Sequence, residues 1–363
     1  MKENDGCRHE DRVDALRTAL IDAIALFEKV QRKFHPAMMI RHGELLIRKA
    51  STLQGALRDF LSGSPMPEAG SEQGILIEAS KLVNEAVSRF NRAGDPGAGL
   101  FHAMQAGRKI CRAYEILFEL RHEVPAIDRF FRESIQGNLR QREGKTGVRK
   151  EKDRIVHPGA GRETYARGSA SLYVPEASET PQPMPLVIAL HGGYGHGRDF
   201  LWTWIREART RRFFLLAPTS QGRTWSITDP EADLVPLTDL IKRTAEEHPV
   251  DVKKILLTGI SDGATFALGC AMQSDSPFGA FCPVCGVLPP GDLSCARSRR
   301  ILWIHGEYDW MFPAVRARQG YTALLQAGAD VGLKVIPDLA HAWPAEENGA
   351  VLSWFDPGLA LEG

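Results

Sequence analysis

The chain has 363 residues, too many for one ordinary domain and suited to two. Hydrophobic residues make up 43% and charged residues 25%, the balance of a soluble globular protein with a sizeable core. Its 45 basic residues are matched by 45 acidic ones, so it lacks the basic excess that nucleic-acid binding usually needs.

The first ten residues, Met1 to Glu10, hold no apolar core of the kind a signal peptide carries. No stretch reaches the roughly 18 uninterrupted apolar residues of a membrane span. The 6 cysteines follow no regular spacing, which fits reduced thiols, and a cytoplasmic location is expected. Cys282-Pro-Val-Cys285 has C-x-x-C spacing, but it lies in an apolar, strand-like run with no second pair. Buried structural thiols are the better reading.

From Asp11 to about Arg142 apolar residues recur every three or four positions. Val13, Leu16, Leu20, Ile24 and Phe27 form a first one-sided stripe, and Leu46, Ala50, Leu53, Leu57 and Phe60 a second. Ile75, Ala79, Leu82, Ala86 and Phe90 form a third; Leu100, Met104, Cys111, Tyr114 and Phe118 form a fourth. A shorter fifth runs from Ala126 to about Leu139. Breaks fall at His35-Pro36, at residues 62–67, at residues 94–97 and at Val124-Pro125, where turn chemistry puts them. One-sided helices joined by short connections predict an all-α bundle over residues 1–142. Residues 143–163 are charged, glycine-containing and aperiodic, the composition of a linker.

Residues 164–363 have a different period. Short apolar runs occur at Ser171–Val174, Leu186–Leu190, Phe213–Ala217, Ile255–Thr258, Ala280–Val284, Ile301–Ile304 and Leu333–Ile336. Several lack alternation, as strands covered on both faces do, and helical stretches separate them. The expected fold is α/β, a mostly parallel sheet with helices on both faces.

Three strand ends carry chemistry. The run Ile255–Thr258 leads into Gly259-Ile-Ser261-Asp-Gly263 and then a helical stretch. A serine on a sharp strand-to-helix turn needs glycine two positions to either side, and it meets backbone N–H groups that favour developing negative charge. G-x-S-x-G is short enough to arise by chance, so the other two strand ends matter. Ile301–Ile304 runs into His305-Gly-Glu-Tyr-Asp309, and Leu333–Ile336 into Pro337-Asp-Leu-Ala-His341. A hydroxyl, a carboxylate and an imidazole in that chain order suit Ser261 as nucleophile, Asp309 as orienting acid and His341 as base. Leu186–Leu190 runs into His191-Gly-Gly-Tyr194, where small residues let a backbone donor approach the substrate oxygen. The oxyanion donors are assigned to Gly193 and Asp262, with Tyr194 as fallback. Tyr194, Trp225, Trp310 and Trp343 sit near these turns and are expected to line an apolar substrate site, with residues 220–236 at its rim. His35 and His42 lack a completing carboxylate or cysteine, so no metal is expected, and acyl transfer needs no organic cofactor.

On Leu190-His-Gly-Gly193, Leu216-Ala-Pro218, Thr258-Gly-Ile-Ser-Asp-Gly263, Ile304-His-Gly-Glu-Tyr-Asp309, Pro313 and His341, residues 165–355 resemble the α/β-hydrolase superfamily. Within it they are similar to the phospholipase/carboxylesterase, acyl-protein thioesterase-like group. The resemblance implies a serine hydrolase acting on a small-molecule ester or thioester. Many relatives carry Gln and a double Gly after the serine, where this chain has Asp262-Gly263-Ala264. A serine peptidase on the same fold, or an inert hydrolase-fold scaffold whose helical bundle binds partners, are the rival readings. The helical bundle itself is open to either of two roles: self-association into a homo-oligomer, or a cap over the active site.

Overall fold

A computed structural model describes residues 2–62, 66–92, 99–134, 152–158, 165–176 and 182–361. The chain divides into two compact units, Met1–Phe131 and Arg132–Gly363.

The first unit is helical: α1 Lys2–Arg32, α2 Met39–Ser62, α3 Glu72–Asn91, α4 Gly99–Glu119 and α5 Pro125–Phe130. Helix α1 packs on α2 and α3, and α3 on α4. The first stripe is buried throughout, as are Leu46, Ala50, Leu53 and Phe60 of the second. Helix α3 starts where Ser71 accepts a hydrogen bond from the Gly74 N–H, relieving one of the first turn's unpaired donors. In α4 the buried face is Ala106, Ile110, Ala113, Tyr114, Leu117 and Phe118, whereas Leu100 is 44% exposed. The expected stripe there ran partly along the wrong side, because Leu100 and Met104 mimic the period of a buried face. Helix α5 is shorter than its stripe suggested, and residues 135–139 lie outside the described residues.

The second unit is an 8-stranded sheet in the order β1-β2-β4-β3-β5-β6-β7-β8. Its strands are β1 Arg154–Val156, β2 Ala170–Val174, β3 Met184–Leu190, β4 Phe214–Pro218, β5 Val250–Ile260, β6 Ala280–Val284, β7 Arg300–Gly306 and β8 Asp330–Ile336. Strands β4, β3, β5, β6, β7 and β8 pair in parallel; β1 on β2 and β2 on β4 are antiparallel. The helices are α6 Gly197–Phe200, α7 Ile205–Arg211, α8 Glu231–Glu247, α9 Asp262–Ala271, α10 Ala314–Gln326 and α11 Asn348–Phe355. All seven strands expected from the sequence form.

Strand β1 lies inside the stretch read as linker. It pairs with β2, and Asp153 just before it accepts hydrogen bonds from Arg209 Nε (2.7 Å) and the Tyr173 hydroxyl (3.1 Å). Asp153 and Arg209 are both buried. Residues 152–158 therefore belong to the sheet unit. Strands β3 and β6 are buried along nearly their whole length, and every residue of α9 from Gly263 to Ala271 is buried, so α9 fills the core against β5 and β6. Because β3, β5, β6, β7 and β8 run the same way, the loops that follow them gather on one edge of the sheet.

Candidate active site

Ser261 sits between β5 and α9 with φ 58° and ψ −119°, a left-handed backbone that non-glycine residues adopt only at a cost. The turn is pinned on both sides: the Ser261 N–H donates to Val284 O (3.0 Å), and its carbonyl accepts from the Thr265 N–H (2.9 Å). The glycine requirement comes from β3. A Cβ on Gly259 would lie 2.7 Å from Leu190 Cβ, and one on Gly263 would lie 2.5 Å from His191 O. The end of β3 presses against the elbow, and only glycine leaves it room.

The loop after β3 also approaches the start of α9. A Cβ built on Gly193 would meet the Asp262 carboxylate at 2.7 Å, so the β3 loop lies against the first residue of α9. Asp262 opens α9, and N–H groups in a first helical turn have no intrahelical acceptor. Tyr194 is not a donor to this site: its N–H is given to Arg223 O (2.9 Å), with φ 58°. The fallback assignment is corrected accordingly. Residues 220–226 meet the β3 loop through the Tyr194 N–H and reach the elbow through the Thr224 hydroxyl, which donates to the Asp262 carboxylate. No sequence signal marked Thr224.

Asp309 follows β7 and His341 follows β8. His341 Nδ1 lies 2.8 Å from Asp309 Oδ2. Asp309 Oδ1 accepts the backbone N–H groups of Met311 (3.0 Å) and Phe312 (2.7 Å), which fixes the carboxylate's orientation. Burial alone raises the Asp309 carboxyl, but the hydrogen bond and charge from His341, with the Phe312 N–H and His305, outweigh it and leave it below its ordinary value. The Phe312 ring meets the His341 ring edge-on at 5.4 Å. Among the described residues, no hydrogen bond joins Ser261 Oγ to the His341 ring.

Sequence reasoning gave His305 no role, although it stands four residues before the acid. Its Nε2 lies 2.7 Å from Phe312 O and 3.5 Å from Asp309 Oδ2, so it braces the loop that carries Asp309. Burial lowers its pKa, opposed in part by Phe312 O and Asp309.

The four residues expected to line the substrate site separate. Tyr194 is 60% exposed on the β3 loop, and Trp310 is half-buried beside Asp309. Trp225 is corrected to a core residue: it is 3% exposed, its indole N–H donates to His191 O (2.8 Å), and its ring stacks on Phe266. Trp343 packs edge-on against Phe200 and Trp204 and donates to Asn348 Oδ1 (3.0 Å), which anchors the loop carrying His341. A cavity of about 610 Å³ between Pro218, Trp225 and α8 includes none of Ser261, Asp309 and His341. Cys282 and Cys285 are free and fully buried, and burial pushes the Cys282 thiol up to about 12.

Residues 231–356, from α8 to the end of α11, match the model of the Phospholipase/Carboxylesterase family. Among solved structures the chain is similar to a thermostable esterase, at 23% identity over 52% of this chain and 58% of that one, with a TM-score of 0.43. It spans little more than half of that esterase. It is also similar to Arabidopsis thaliana SOBER1, at 16% identity over 48% of this chain and 99% of that one, with a TM-score of 0.41. The Pyrococcus horikoshii acylaminoacyl peptidase matches at 16% identity over 54% of this chain and 40% of that one, with a TM-score of 0.43. No curated protein matches the chain. The sheet-bearing unit of this chain holds an α/β-hydrolase superfamily domain that matches the Phospholipase/Carboxylesterase family over residues 231–356.

Proposed function

We propose that the chain is a serine hydrolase of the carboxylesterase or thioesterase type, working through an acyl-enzyme on Ser261. The observation that carries this reading is the part-buried 2.8 Å contact of His341 Nδ1 with Asp309, on the sheet edge that also holds the strained Ser261 turn. Asp309 accepts the Nδ1–H, which leaves Nε2 as the basic nitrogen. His341 Nε2 then takes the Ser261 proton as Oγ attacks the substrate carbonyl. The Ser261–His341 hydrogen bond forms as substrate closes the site, since such contacts are often long without substrate. The N–H groups of Gly193 and Asp262 hold the oxyanion. His341 gives its proton to the departing alcohol or thiol, then activates the water that releases the acid.

Exposed Tyr194, Tyr308 and Met311, on the loops after β3 and β7, favour an apolar acyl group over a charged one. A panel of p-nitrophenyl esters and acyl thioesters of graded chain length tests the proposal. Turnover that disappears in Ser261→Ala supports it; turnover that survives the substitution contradicts it. Cleavage of peptide amides in preference to esters would instead favour the peptidase reading.

A further inference from the structure

We propose that Cys285, Asp309 and His341 form an inhibitory site for a borderline divalent cation such as Zn²⁺. The proposal rests on the reading of Asp309 and His341 above and adds a residue that acyl transfer does not use. One sulfur, one carboxylate oxygen and one ring nitrogen of these residues all lie within 4.8 Å of one another. Three atoms so spaced fit within about 2.8 Å of a common centre, and zinc bonds of about 2.3 Å to sulfur and 2.0 Å to nitrogen or oxygen ask each to move inward by less than about 1 Å. A thiolate, an imidazole and a carboxylate suit Zn²⁺ or Co²⁺ rather than Mg²⁺.

The placement of Cys285 is specific. It directly follows β6 with φ 50°, a third left-handed non-glycine residue on this edge after Tyr194 and Ser261. That conformation sets Sγ 3.7 Å from the carbonyl oxygens of Ala340 and Ala342, on either side of His341. Burial first, and the Asp309 charge second, keep the thiol protonated when no metal is bound.

On metal uptake the Cys285 S–H bond breaks, its proton leaves to solvent, and the sulfur electron pair goes to the metal. His341 binds through Nδ1, the nitrogen facing Asp309, and the ring proton moves to Nε2. Nε2 is then an N–H and cannot accept the Ser261 proton, so acyl transfer stops until the metal is removed. Of the acid and base, the Asp309 side chain is fully buried and that of His341 is 9% exposed, so the ion enters as the imidazole swings outward and inhibition develops slowly.

The test uses the full chain in a non-chelating buffer, with ZnCl₂ or MgCl₂ and a short p-nitrophenyl ester, each variant normalised to its metal-free rate. The wild type should lose activity at micromolar Zn²⁺, recover with EDTA and ignore Mg²⁺. Cys285→Ala and the closer-sized Cys285→Ser should raise the half-inhibitory concentration about tenfold or more. Equal inhibition of wild type and variants, or none at all, overturns the proposal. CoCl₂ titration without substrate gives a second readout: a thiolate-to-cobalt charge-transfer band in the near ultraviolet, present in the wild type and absent from Cys285→Ala. That band in a protein without esterase activity supports the metal site and refutes the esterase reading. An active enzyme lacking the band refutes the metal site alone.

Discussion

Asp309 gives the most direct single-residue test of the base's tautomer. Its Oδ2 faces His341 Nδ1 while Oδ1 is held by two backbone N–H groups. Asp309→Asn keeps the shape but presents an amide where an acceptor is needed, so kcat should fall about 10⁴-fold. Ser261→Ala should lower it by roughly four to six orders of magnitude, measured on the same ester. Glu207, on α7, gives a stability test. Burial, then the Glu133 charge, raises its carboxyl from 4.5 to about 7, against smaller opposing effects of its backbone hydrogen bond, Asn348 and Arg206. The folded chain thus binds this proton more tightly than the unfolded one. Its contribution is fully present below pH 4.5 and is lost as pH rises toward 7. Glu207→Gln should remove that decline, gaining about 3 kcal/mol on the wild type at pH 8 relative to pH 4 in urea unfolding.

At the scale of elements, the strand–elbow–helix unit and the β1 edge make separate predictions. Gly263→Ala puts a methyl group 2.5 Å from His191 O, so the β3 loop must shift, at a cost of at least about 1–3 kcal/mol and with reduced activity. Asp153→Ala takes away the carboxylate that Arg209 and Tyr173 both donate to, and should cost about 3–5 kcal/mol in chemical denaturation. The sequence showed the parallel strands clearly, because their apolar runs are uninterrupted and glycine marks the turns between them. It hid β1, because Arg-Ile-Val within a charged stretch carries too little periodicity to stand out. Trp225 as a substrate-lining ring and Tyr194 as a fallback donor fail for a related reason. Chain position places a residue near a turn, but only packing decides whether its ring faces Phe266 or solvent, or where its N–H is spent.

For the whole molecule, the division after Phe131 and the β1 contacts set where the chain can be cut. A chain starting at residue 132 should stay folded and hydrolyse esters. One starting at 160 lacks Asp153 and β1 and should be much less stable. Light scattering on the first of these separates the two roles open to the helical unit, with loss of a homo-oligomer expected if that unit self-associates. An unchanged oligomeric state with an altered acyl-length preference would favour the capping role instead.

Whether Ser261 is a nucleophile activated by His341 is read out by a fluorophosphonate probe followed by peptide mapping. A stoichiometric adduct on Ser261 is expected in the wild type, and little or none in His341→Ala. An unlabelled wild-type protein, or an adduct on a different serine, would contradict it.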